Sequence, residues 1–432
     1  MQPNSMIAPR LSVMMFLQFF VWGAWYVTVG NYMKVHGMGD SIGNAYTVGP
    51  IAAILSPFFL GLVADRLFST ERVLAALHVL GGAVMCAAPH VKPELFVPLL
   101  LAHMLCYMPT LGLTNTLTFH NITDQEKQFP IIRVFGTIGW IFAGIVVSKM
   151  LGADEKPIQF YVAGGSAILL GLYSLTLPHT PPPMKGKNVS IGELLGVGSL
   201  RLMTKPSFAV FMISSFLICI PLAAYYAYAP VFVGDLGINN PGFKMSFGQM
   251  SEIFFMLIMP LCFARLGVKW MIIVGMGAWV LRYYLFFAGG NPVLPAGDVT
   301  ADQMLGQLSL VGAIYVGILL HGICYDFFFV TGQIYVDKTA DVSIRGQAQG
   351  FLVLVTQGLG MLIGAQISQK IFNEKVTGEG PALLASWKEF WMLPCIAAAV
   401  IMVAFFLLFR DTVSADESPD SPSSPDVADP AE

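Results

Sequence analysis

Charge is scarce in this chain. Asp, Glu, Lys and Arg make up 11% of the residues against 56% hydrophobic, and the formal net charge is −3. No basic cluster or aromatic-basic alternation offers a nucleic acid a surface. Cys86, Cys106, Cys219, Cys262, Cys324 and Cys395 all fall inside apolar runs and form no C-x-x-C pair. That spacing excludes a disulfide framework or a thiolate metal site and leaves the thiols as small core groups. The chain also lacks an H-E-x-x-H, a nucleophile elbow, a phosphate loop and a paired metal cluster. Neither an enzyme nor a bound metal or cofactor is expected.

Apolar runs of bilayer-spanning length are abundant instead. After Arg10 comes a run over 11–33, too long for a signal-peptide core and without an evident cleavage site; it reads as a first spanning helix. Further runs fall near 45–64, 73–90, 95–118, 131–150, 158–177, 208–233, 246–264, 270–288, 308–335, 347–370 and 388–409, twelve in all with the first. The predicted class is an all-α integral membrane protein of twelve transmembrane helices. The longest internal polar stretch begins at Pro178 and divides the spans six and six. The expected organisation is a first bundle over 1–178, a linker over 179–206 and a second bundle over 207–411. A Ser-, Pro- and acid-rich tail over 412–432 is expected to be disordered. Lys and Arg are more numerous on the side holding Arg10, Arg66, Arg72, Lys185, Lys187, Arg201 and Lys205 than on the side holding Lys34, Lys92 and Lys149. Both termini and the linker are therefore expected in the cytoplasm, with the chain multi-pass in the cell inner membrane and working as a monomer.

Two six-helix halves suggest alternating access around a midplane site between them. Between spans two and three, residues 61–72 read GLVADRLFSTER. This resembles the G-x-x-x-D-R loop of the major facilitator superfamily, in which a small residue allows close packing and charges such as Asp65 and Arg66 pair across a cytoplasmic gate. At the matching place in the second half, 263–269 read FARLGVK, an echo that keeps Arg265, Gly267 and Lys269 without the acid.

Polar groups deep in the spans narrow the function. Asp326 stands among aromatics in HGICYDFFF, and an ionised group at mid-bilayer costs roughly 2.5 kcal/mol or more, which usually marks a pathway, a proton relay or a partner. Arg133, Thr137 and Trp140 recur at i, i+4 and i+7, so one helix face offers a cation, a hydroxyl and an aromatic plate. Gly136 and Gly139 point elsewhere and suit close approach of a neighbouring helix. Gln249 and Glu252 share a face of span eight, the amide donating and accepting, the carboxyl able to hold or release a proton. His321 and Tyr325 lie four apart in span ten, with Asp326 about a quarter turn away. Arg282, near the end of span nine, reads as a residue snorkelling to the interface.

Taken together, these segments resemble the nucleoside:proton symporters of the major facilitator superfamily. The likeness is carried by FLQFFVWGAW at 16–25, YMPTLGLTNT at 107–116, the Arg133 segment with GTIG at 136–139, QMSE at 249–252, YDFF at 325–328 and RGQAQG at 345–350. It implies a nucleoside pocket formed by Arg133, Thr137, Trp140, Gln249, Glu252, Tyr325 and Asp326, with Glu252 and Asp326 as proton-coupling groups and the proton gradient as driving force. In this reading Asp326 faces Arg133 and shares the cavity with Glu252. Two departures alter the polar grip. Span seven carries PLAAYYAY at 221–228 where the family presents amides, which makes Tyr226 a pocket candidate, and His321 replaces an aromatic hydroxyl. The function implied is proton-coupled nucleoside import; a sugar or other small polar metabolite as cargo, or a non-transporting receptor, are the alternatives.

Overall fold

The structure is a computed structural model that describes residues 6–59, 68–182, 197–290, 301–341 and 344–410. Asp65 and Arg66 of the expected gate, the middle of the linker and the acidic tail lie outside the described residues. Low charge and long apolar runs leave the backbone in lipid no partner but itself, so the chain folds as helices throughout the spans.

The helices follow one another as α1 (Ile7–Val35), α3 (Thr70–His90), α4 (Pro93–Asn121), α5 (Lys127–Met150), α7 (Pro206–Asp235), α10 (Leu310–Thr339), α11 (Arg345–Lys375) and α12 (Gly380–Leu408). Between them stand the shorter α2 (Ile42–Phe59) and α6 (Ile158–Ser174). The run Pro241–Gly289 is too long for one crossing and turns back at Gly267, where φ is 66° and ψ 179°. That left-handed φ suits a residue without a Cβ, and it divides the run into α8 (241–266) and α9 (268–289). Among the described residues, nine runs are long and apolar enough to cross a membrane; one of them counts twice, and the two shorter helices complete twelve.

Packing follows the two halves. Helix α1 packs on α5 and α6, α3 on α4 and α6, and α2 on α4. In the second half α7 packs on α11 and α12, and the α8–α9 pair on α10 and α12. Glycines permit the closest approaches. A Cβ on Gly139 would collide with the backbone carbonyl of Phe16, and one on Gly136 would stand 2.7 Å from the Phe19 ring, so α5 lies directly against α1. Across the halves, α2 meets α11 and α5 meets α8. Hydrogen bonds between the halves concentrate at the end where α1 and α7 finish. There Lys34 pairs with Asp235, which also accepts from Trp387 Nε1 at 2.9 Å. Asn31 Nδ2 donates to the Pro230 carbonyl at 3.1 Å, and the Asn44 N–H donates to Gln369 Oε1 at 2.7 Å. This end is sealed.

The six cysteines are free thiols. Arg282 corrects the snorkelling expectation: it is fully buried, donates Nε–H to the Gly317 carbonyl at 3.0 Å, and lies with Cζ 4.0 Å from the Tyr225 ring centroid. Packing by α7 and α10 covers the face on which a lone helix would have let the side chain reach the interface.

Candidate substrate site between the halves

A cavity of about 160 Å³ lies where α1, α5, α7, α8, α10 and α11 converge. From the first half it is lined by Phe19, Trp22 and Tyr26 of α1 and by Arg133, Thr137 and Trp140 of α5. Tyr226 of α7, Gln249 and Glu252 of α8, His321 and Tyr325 of α10, and Gln357 and Met361 of α11 complete it from the second. Eight candidates from separate stretches of chain thus meet in one space. Each pair or triple arrives on a helix face whose spacing aims it inward: i, i+4, i+7 on α5, i, i+3 on α8 and i, i+4 on α10.

The aromatic wall is continuous. Trp22 and Trp140 meet edge to face with centroids 5.4 Å apart, and Tyr26 reaches across the halves to Tyr226 at 6.4 Å. His321 stacks on Tyr225 at 5.5 Å with an interplanar angle of 19°, which fixes its ring between α7 and α10. Its Nε2 stands 3.9 Å from Glu252 Oε2, close enough for electrostatic contact and too far for a hydrogen bond. Its Nδ1 is buried without a hydrogen-bond partner among the described residues.

Charge in the cavity is held apart rather than paired off. The Arg133 guanidinium sits 4.2 Å over the Phe19 ring and within electrostatic range of Glu252, but no carboxylate approaches it within 4 Å among the described residues. Asp326 departs from the expected arrangement. It does not line the cavity: it is fully buried, begins the π-helical segment Asp326–Val330, and neither carboxylate oxygen has a hydrogen-bond partner among the described residues. A quarter turn away from Tyr325, it makes no ion pair with Arg133 among the described residues, and its charge and that of Glu252 repel one another. By contrast, one buried polar cluster of the first half is paired internally: Gln18 donates to Thr110 Oγ1 at 2.7 Å, and His78 Nε2 lies 2.8 Å from Gln18 Oε1.

The residue-level reading missed Phe19, Trp22, Tyr26, Gln357 and Met361. The first three were legible as one face of α1, spaced i, i+3, i+7 inside an aromatic run. Gln357 was legible only as a single amide inside span eleven, after Thr356 and before Gly358.

Comparison with known proteins adds to this geometry. The family model described as nucleoside H+ symporter matches residues 5–414. The chain is 39% identical over 413 residues to YegT of Escherichia coli (strain K12), covering 93% of this chain and 94% of the relative. It is 32% identical over 418 residues to the nucleoside permease NupG of the same organism, covering 93% and 95%. The crystal structure of nucleoside transporter NupG superposes with a TM-score of 0.80 at 30% identity, over 94% of this chain and 99% of that one.

Proposed function

The chain belongs to the nucleoside H+ symporter family, and from that premise we propose that it imports nucleosides together with protons by alternating access. One observation carries the reading. Arg133, Thr137, Gln249 and Glu252 face a cavity between the halves flanked by aromatic plates, and none of these four side chains is engaged in a hydrogen bond within the protein among the described residues. Polar groups in a membrane interior are costly unless a partner arrives. A nucleoside supplies that partner: its flat base stacks on Trp140 or Tyr325, and its hydroxyls bind Gln249 and Glu252.

Coupling then rests on two acids in unlike surroundings. Glu252 borders the substrate and feels Arg133, whereas Asp326 is buried in the second half without a hydrogen bond among the described residues. An uncompensated charge in that pocket costs several kcal/mol, so the charge state of Asp326 biases which packing of the second half is stable. Substrate and proton act through their differential affinity for the inward and outward arrangements. We assign both termini to the cytoplasm of a cell with an inner membrane. The sealed end is then the outer one, so this structure is not the outward-open member of the cycle. A single chain contains both halves of the site, which supports function as a monomer in the bilayer.

The test is uptake of labelled uridine or adenosine into proteoliposomes with an imposed pH gradient. Accumulation should rise with an inward proton gradient and collapse with a protonophore. Uptake indifferent to the protonophore removes the coupling claim; no uptake of any nucleoside removes the substrate claim.

A further inference from the structure

Helix α11 brings an amide to the cavity from outside the cluster of ionisable groups. Gln357 and Met361 lie four residues apart on one face. Gln357 stands in the π-helical segment Leu354–Gly360. Such segments insert an extra residue into the helical turn and recur at functional sites. Its carboxamide enters no hydrogen bond with a described residue, in contrast with Gln366 and Gln369 further along the helix, which are spent on Asn44 of α2. Helix α11 packs on α2 and α7, whereas the helices bearing Arg133, Gln249 and Glu252 pack on each other. Gln357 therefore enters from the α2/α11 side, away from the α5/α8 side.

The two sides differ in chemistry as the two ends of a nucleoside do. A carboxylate, an amide and a guanidinium suit vicinal hydroxyls, since a carboxylate accepts from two O–H groups at once. A lone carboxamide beside a thioether presents one donor and one acceptor side by side in a soft apolar setting. That pair matches the edge of a base, where N–H and C=O stand together in uracil and hypoxanthine and NH2 and ring nitrogen stand together in cytosine and adenine. Because a Gln amide can turn over, it reads either edge.

We infer that Gln357 is a specificity-determining residue that binds the hydrogen-bonding edge of the nucleobase while the α5/α8 wall holds the sugar. This rests on the nucleoside reading above. It is tested by titrating purified full-length protein, with Trp22 and Trp140 in the cavity wall as fluorescence reporters. The ligands are uridine and 3-methyluridine, inosine and 1-methylinosine, and 2′-deoxyuridine; the proteins are wild type, Gln357→Leu and the smaller Gln357→Ala. In the wild type, methylation of the edge should weaken binding about tenfold, the factor that corresponds to the net loss of one hydrogen bond. In the variants the parent nucleosides should weaken by a similar factor, the methylation penalty should vanish, and the 2′-deoxy penalty should persist unchanged. A methylation penalty of wild-type size in both variants overturns the assignment of Gln357 alone. A wild type that binds neither uridine nor inosine overturns the nucleoside reading and this assignment with it.

Discussion

At the scale of single residues, the molecule separates polar groups that are satisfied from those left waiting. Gln18, His78 and Thr110 close a buried network in the first half, and the second half leaves Asp326 and the Nη atoms of Arg282 without hydrogen bonds among the described residues. The contrast between Glu252, in the cavity wall, and Asp326, behind it, sets distinct expectations. Asp326→Asn should keep nucleoside affinity within about twofold, because the side chain does not line the site, while abolishing uphill accumulation. Glu252→Gln should weaken binding and accumulation together, by about tenfold or more in affinity, since it removes a charge-assisted hydrogen bond to substrate. Equilibrium binding and gradient-driven uptake on the same preparations separate the two; Asp326→Asn accumulating as the wild type does would make Glu252 the coupling acid. Asp154 behaves differently, in the loop between α5 and α6. It accepts from Ser148 Oγ at 2.8 Å and from the Gly242 N–H at 3.0 Å, so it caps α8 across the halves, where the left-handed Asn240 supplies no side-chain cap of its own. Burial pushes its pKa above the ordinary carboxylate value, with the charge of Glu155 adding to the effect and the Ser148 and Gly242 hydrogen bonds opposing it. The protonated form is thus linked to the sealed arrangement: its contribution to sealing is fully present below the ordinary carboxylate pKa and is lost as pH rises through the sealed-state value. Spin-label distances between the outer ends of α1 and α7 should show sealing favoured by acid, and Asp154→Asn should flatten that dependence.

Among the elements, glycine decides how closely helices approach, and its consequences differ within and between halves. Gly139 lies against the Phe16 backbone inside the first half, so Gly139→Leu should lower stability by about 1–3 kcal/mol or more through overpacking. Gly165 on α6 has no atom within 4 Å of an added Cβ, so Gly165→Ala is the control and should leave thermal unfolding unchanged or slightly raised. Equal unfolding temperatures for the two variants would contradict the α1–α5 packing. The existence of these helices could be read from runs of apolar residues, because hydrophobic length is a local property. The division of spans eight and nine was legible as well, because the charged FARLGVK stretch separates two apolar runs; the structure added that the turn is made at Gly267 with a positive φ.

The whole molecule turns on how the halves close. Gly43 of α2 would carry a Cβ 2.7 Å from the Ala365 carbonyl of α11, so Gly43→Leu places a wedge between the halves, not within either. A cost of about 1–3 kcal/mol on the sealed state should lower its equilibrium weight against the open state roughly five- to 150-fold and slow transport, with little change in unfolding temperature. Wild-type transport rates in that variant would show that this end need not close tightly. Class, span number and the family resemblance were legible in the chain alone, since hydropathy, helical periodicity and short motifs are written in local order. Eight of the nine candidates for the pocket were legible too, because face spacing on a helix follows from 3.6 residues per turn. What local order could not supply was the direction of each face relative to other helices. Only the packing of α7 and α10 around Arg282 made it a buried cation, only the azimuth of α10 left Asp326 out of the cavity lining, and only the meeting of α11 with α2 and α7 brought Gln357 to the cavity. Those outcomes depend on contacts between residues far apart in the chain, which no single helix specifies.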